Sequence, residues 1–139
     1  MCIRDRSNYP SNYPSSLEKI EMIQVEEGLI LSLQFTAFDI EAEYDYEEHE
    51  HDYDSIINCP DHLTITDGDG TTLMEKSCGN SLPAAIRSTS NVVNLLFITN
   101  DGDTRPGWNV SWSAVTPGEC QHFICIFRMI CLKLCLSLK

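Results

Sequence analysis

Residues 29–38 read LILSLQFTAF, and their alternation decides the fold. Leu29, Leu31, Leu33 and Phe35 fall on one side of an extended chain, with Ser32, Gln34 and Thr36 on the other, because successive β side chains point to opposite faces. Working outward, Ile20 to Val25 is a shorter strand candidate, closed by a Glu26-Glu27-Gly28 turn. Leu63 and Ile65 alternate with Thr64 and Thr66 and lead into Asp67-Gly68-Asp69-Gly70, a hairpin turn signal. Val92 to Thr99 is nearly continuous apolar sequence, the pattern of a strand covered on both sides. Trp108, Val110 and Trp112 share one face, and Asn109, Ser111 and Ser113 the other. No stretch between residues 7 and 119 carries a 3.6-residue period with helix caps. Short strands with frequent turn signals predict an all-β protein, an antiparallel β-sandwich of the jelly-roll kind.

Charge narrows the function. The 139 residues carry a net charge of −12. Between residues 7 and 119 there are 20 acidic and four basic side chains (Lys19, Lys76, Arg87 and Arg105), a balance of −16. Such a surface repels nucleic acid and anionic membranes and favours cations or basic partners. Nine carboxylates, three tyrosines, His49 and His51 crowd the stretch from Asp39 to Asp54, with no basic residue among them. Self-repulsion predicts an extended acidic insertion over residues 42–58.

Two of the seven cysteines, Cys59 and Cys78, lie inside the patterned region; Cys2, Cys120, Cys125, Cys131 and Cys135 lie at the ends. None forms a C-x-x-C pair, so zinc-ribbon and thioredoxin-like readings lack support. Residues 1–6 have no apolar h-region and read as a leader out of its native context. Residues 120–139 are apolar and cysteine-bearing. With Arg128 and Lys133 inside that tail, membrane attachment within this chain is not expected. The domain is therefore placed at 7–119. There is no G-x-S-x-G, no H-E-x-x-H and no cysteine with a histidine partner, which argues against an enzyme.

Four signatures occur in order: Ser7-Asn8-Tyr9-Pro10 with Tyr13-Pro14, then Phe38-Asp39-Ile40-Glu41, then Cys59 with Cys78-Gly79, then Phe97-Ile98-Thr99-Asn100 ahead of Gly107-Trp108. In this order they resemble the CUB domain, an extracellular β-sandwich module. The resemblance covers roughly residues 7–115. It implies secretion, a Cys59–Cys78 disulfide, and a role in binding a protein partner as part of a larger protein. The first strands of such a domain, which normally precede the Asn-Tyr-Pro segment, are missing from this reading. Lys19 stands where the second cysteine of the family's other disulfide would fall.

The resemblance also implies a Ca²⁺ site at one end of the sandwich. Ca²⁺ takes six to eight oxygen ligands, with carboxylates to neutralise it. Glu41 matches the family's strand-ending glutamate, and Tyr13 the tyrosine that supports it. Asp61 fills the position after the cysteine, one residue closer than usual. Asn100 stands where the family has an aspartate, and Asp101 follows it. Such a site holds acidic groups that capture a basic side chain, typically a lysine, from the partner. A second reading, from the residues themselves, is a cation- or mineral-binding domain acting through the 42–58 loop. Asn109-Val110-Ser111 is the single glycosylation sequon, with Asn109 as acceptor.

Overall fold

The computed structural model describes residues 2–5, 9–44, 56–118, 124–125 and 131–132. Ten strands build the body: β1 (Cys2–Asp5), β2 (Glu18–Gln24), β3 (Ile30–Asp39), β4 (Glu43–Tyr44), β5 (Ile56–Asn58), β6 (His62–Asp67), β7 (Thr72–Ser77), β8 (Ile86–Arg87), β9 (Val92–Ile98) and β10 (Gly107–Val115). Two antiparallel sheets stack, one in the order β1-β10-β3-β8 and the other β2-β9-β6-β7. The all-β sandwich expected from the alternation is the observed architecture. No helix among the described residues is long and apolar enough to cross a membrane.

Each sheet is held by the period-2 pattern that predicted it. Leu31, Leu33, Phe35, Phe38, Trp108 and Val110 face inward from one sheet, and Ile23, Leu63, Ile65, Val93, Leu95 and Phe97 from the other. Phe38 breaks the simple alternation, since it lies three residues after Phe35. The register between β3 and β10 resolves this: Asn109 opposes Ala37 and Val110 opposes Phe35, so Thr36 is an extra, bulged residue. The bulge turns both phenylalanines into the core, edge to face at 5.4 Å. The Thr36 hydroxyl steadies it by donating to the Asn109 side-chain oxygen at 3.1 Å.

The turn after β6 forms as predicted. Gly70 donates to the Asp67 carbonyl at 2.9 Å and sits at φ +89°, where a Cβ would be strained. Cys59 and Cys78 are disulfide-bonded, with their Cα atoms 5.5 Å apart. A closed loop of this length stabilises by ~3 kcal/mol in the chain-entropy model.

One expectation is revised. β9 is paired on both edges, by β2 and β6, but only one of its faces meets the core. Val93, Leu95 and Phe97 are buried, while Val92, Leu96 and Ile98 are half-buried on the outer face. Beside them Ile20 is 66% and Met22 57% exposed. Lateral pairing and layer stacking are separate kinds of cover, and apolar content alone does not distinguish them.

Cys2–Asp5, inside the segment read as a leader, pairs with β10 from Cys2↔Trp112 to Asp5↔Asn109. Pairing thus begins before Ser7, because the open backbone donors and acceptors of β10 accept an edge strand whatever its composition. In the tail, Ile124–Cys125 (β11) and Cys131–Leu132 (β12) pair with each other. The acidic insertion is pinned at its ends, where β4 pairs with β5 at Glu43↔Asn58 and Tyr44↔Ile56. Residues 45–55, with His49 and His51, lie outside the described residues.

Candidate functional site

One end of the sandwich gathers the segment around Tyr13, the end of β3, the start of β6 and the β9–β10 connection. The extended segment before β2 is bound to that connection along its length. Tyr13 N–H donates to the Arg105 carbonyl at 3.0 Å, and Thr99 N–H to that of Leu17 at 2.8 Å. The Thr99 hydroxyl accepts Leu17 N–H and donates to the Pro14 carbonyl. The Asn12 side chain reaches Thr104.

Tyr13 joins this end to the core. Its ring is 1% exposed and stands edge to face with Phe97 at 5.1 Å. Its hydroxyl accepts the Glu41 backbone N–H at 3.0 Å. Burial first, and then its hydrogen bond to Asp61, hold the phenol far above its ordinary pKa. The group therefore stays a neutral hydroxyl that donates to one acid and accepts from the backbone of the other.

Asp61 is fully buried, and its Oδ1 accepts the Asn100 backbone N–H at 2.6 Å. Burial, followed by the charges of Asp61 and Asp103, pushes the Glu41 carboxyl up from its usual range; the Asn100 side-chain amide and Arg105 act against this. His62, next in sequence to Asp61, supplies no compensating charge. Burial and Lys76 hold its imidazole below its usual pKa, so it is neutral at physiological pH. Two oxygens, Glu41 Oε2 and Asp61 Oδ2, are buried with no hydrogen-bond partner among the described residues. Buried carboxylate oxygens are almost always paired.

The structure brings together Tyr13, Glu41, Asp61 and Asn100 at one end of the sandwich. It treats two of the predicted ligands differently. Asn100 turns its side-chain oxygen onto Gly102 N–H at 2.7 Å and its amide toward Glu41, so that oxygen closes its own loop. Asp101 and Asp103 are both exposed, and the loop acid whose charge reaches Glu41 is Asp103. Among the described residues no group of three or more His, Cys, Asp or Glu side chains is assembled to hold a metal ion.

Elsewhere, Lys19 faces the inner side of β2 and forms an ion pair with Glu21 in place of the family's second bridge. Asn109 lies on the outer face of its sheet, bonded to Thr36, and Ser111 donates to the Gln34 carbonyl.

The sequence reading missed a second buried acid at the opposite pole. Asp67 accepts five hydrogen bonds: from Gly68 N–H at 2.9 Å, Thr89 N–H at 2.6 Å, the Thr89 hydroxyl at 2.9 Å, Ser90 N–H at 3.2 Å and the Ser90 hydroxyl. Burial alone would raise its pKa, but these donors outweigh it and hold it at about 2. Gly68 is required here, since a Cβ would come within 2.8 Å of the Ser90 hydroxyl oxygen. The Asp-Gly dipeptide signals only the turn; the four donors of Thr89 and Ser90 lie more than 20 residues further along the chain.

A family model described as the CUB domain matches residues 3–112. Cubilin of Rattus norvegicus is 25% identical over 114 residues, which make up 81% of this chain and 3% of cubilin. Complement C1s subcomponent of Bos taurus is 34% identical over 105 residues, or 73% of this chain and 14% of that protein. The chain thus spans a small part of these relatives. Among solved structures, the MASP-1 CUB2 domain bound to Ca²⁺ superposes with a TM-score of 0.64 at 29% identity, covering 79% of this chain and 88% of that one.

Proposed function

This chain belongs to the CUB domain family, and from that premise we propose that it is an extracellular recognition module. CUB domains are non-catalytic modules, and no constellation of nucleophile and base in the sequence argues otherwise. The proposed binding end is the one built by Tyr13, Glu41, Asp61 and the 100–105 loop, and its partner is a protein that presents a basic side chain. One observation carries this reading: two acids converge at a strand end, each with a buried oxygen that lacks a partner.

Ca²⁺ fits the same two oxygens. Glu41 and Asp61 would hold it, with Tyr13 fixing the backbone of the first acid and a hydrogen bond to the second. Asn100 would contribute its side-chain oxygen on leaving Gly102, and Asp103 is the loop acid placed to supply charge. Bound there, Ca²⁺ neutralises the acid pair and fixes the loops. The MASP-1 CUB2 structure bound to Ca²⁺ supports this assignment.

Thermal unfolding in Ca²⁺ against chelator tests it. A ligand that binds only the folded chain stabilises by ~2.7 kcal/mol at a hundredfold excess over Kd. That corresponds to a rise in Tm of roughly 8–10 °C for a domain of this size. Glu41→Ala should remove the rise. Asp103→Ala should weaken it more than Asp101→Ala. Wild-type protein that melts identically in both solutions would remove Ca²⁺ from the proposal.

A further inference from the structure

We propose that Asp101 is a site of spontaneous aspartate isomerisation, and that its conversion to isoaspartate disables the binding end of the sandwich. The disabling effect rests on the binding role proposed above; the reaction itself does not. The chain holds three Asp-Gly dipeptides, Asp67-Gly68, Asp69-Gly70 and Asp101-Gly102. Each has the pair this chemistry needs, since a glycine leaves its backbone nitrogen unshielded by a Cβ. The fold treats the three carboxylates differently. Asp67 is buried, and both of its oxygens are held by the Gly68, Thr89 and Ser90 donors. With its pKa at about 2, that carboxyl stays ionised and resists attack. Asp69 is exposed, but its Oδ1 accepts Thr71 N–H at 2.8 Å, and Gly70 N–H is bound to the Asp67 carbonyl across the turn. Asp101 is exposed, and its carboxylate accepts no hydrogen bond among the described residues. Gly102 N–H is held by the Asn100 side-chain oxygen at 2.7 Å, in an exposed contact.

The reaction needs only water. The Gly102 backbone nitrogen attacks Cγ of the protonated Asp101 carboxyl and forms a C–N bond. The amide proton and the carboxyl hydroxyl depart together as one water molecule, which closes a five-membered succinimide. Water then adds to one of the two ring carbonyls. Breaking the bond from nitrogen to Cγ restores aspartate. Breaking the bond from nitrogen to the main-chain carbonyl carbon gives isoaspartate, with the chain now routed through Cβ and Cγ. One water is lost and one regained, so neither mass nor oxidation state changes.

The position of the dipeptide gives the reaction its effect. The loop is anchored on either side, where Ser16 N–H donates to the Asn100 carbonyl at 2.5 Å and Tyr13 N–H to the Arg105 carbonyl at 3.0 Å. An inserted main-chain carbon lengthens the span between these anchors by ~1.5 Å. With the ends fixed, residues 101–104 must take up the slack. Asp103, whose charge reaches Glu41, lies in that stretch, and the bond from Asn100 to Gly102 spans the altered residue. Conversion therefore displaces the loop groups placed to complete the pair of Glu41 and Asp61.

The test is ageing of the purified full chain at body temperature and neutral pH for several weeks. Peptide mapping with electron-transfer fragmentation then distinguishes isoaspartate from aspartate at each position. Isoaspartate at 101 is expected to exceed that at 67 or 69 by roughly tenfold or more, since those carboxylates must first give up their hydrogen bonds. In urea-unfolded protein all three should convert at similar rates. No isoaspartate at 101 in the folded protein, equal amounts at all three positions, or a preference for 101 that persists in urea would each overturn the assignment. The Ca²⁺-dependent rise in Tm should shrink in proportion to the fraction converted. Fully converted protein that keeps the rise would overturn the disabling effect. Fresh protein that shows no rise would remove the Ca²⁺ reading alone, and the peptide map would still decide the isomerisation.

Discussion

Tyr13→Ala is expected to destabilise the domain by about 3–5 kcal/mol, the range for removing a fully buried aromatic ring. The ring is 1% exposed and leads a file of edge-to-face contacts, with Phe97 at 5.1 Å and Phe97 with Trp108 at 6.3 Å. Truncation empties the space between the sheets at the end where they carry the acids. It also removes the acceptor of Glu41 N–H. Tyr13→Phe separates the two roles. It keeps the ring and deletes only the hydroxyl, at a cost of about 1–2 kcal/mol. The Ca²⁺-dependent part of the unfolding free energy should fall in Tyr13→Phe by more than its chelator baseline does. Urea unfolding of the three proteins, with and without Ca²⁺, reads both quantities. If Tyr13→Ala matched wild type, the ring would not be the link between core and loops.

Asp67→Asn is expected to cost on the order of 3 kcal/mol, although it changes neither size nor shape. Both carboxylate oxygens act only as acceptors, Oδ1 for Gly68 and Ser90 and Oδ2 for Thr89. An amide must point its NH₂ at one of those donor groups, whichever way it is flipped. For a domain of this size the loss corresponds to a fall in Tm of about 10 °C.

Acid titration provides an independent measurement of the same residue. Its pKa falls from 3.8 to about 2 on folding, so the unfolded chain binds the proton more tightly than the folded one. The resulting stability, ~2.5 kcal/mol, is fully present above the unfolded value and is lost as pH falls through about 2. Unfolding free energy followed from pH 5 downward should therefore drop more steeply in wild type than in Asp67→Asn. Parallel curves would show that Asp67 is not the group responsible.

The sequence carried much of this architecture, because alternation is a local property. Leu31, Leu33 and Phe35 identify a strand and its buried face without any knowledge of what they pack against. The Thr36 bulge was not legible in the same way. Phe38 falls out of phase with its neighbours, and only the register of β10 shows that an inserted residue brings it back to the core. The site was partly legible. Tyr13, Glu41 and Asp61 were identified through a resemblance, and they converge. Asp101 was named because it follows Asn100, and the sequence holds no signal for the charge that Asp103 exerts on Glu41.

The order of signatures, the alternating faces and the cysteine pair were written in one dimension, and they sufficed for the fold and the family. The direction each carboxylate takes was settled by folding. Asp61 and Asp67 sit six residues apart, yet they end at opposite poles of one strand. One is surrounded by donors, and the other is left with an unpaired oxygen. Aspartates are interchangeable as letters; what separates them is which distant backbone N–H groups the closing sheets bring within 3 Å, and those contacts exist only once the layers have packed.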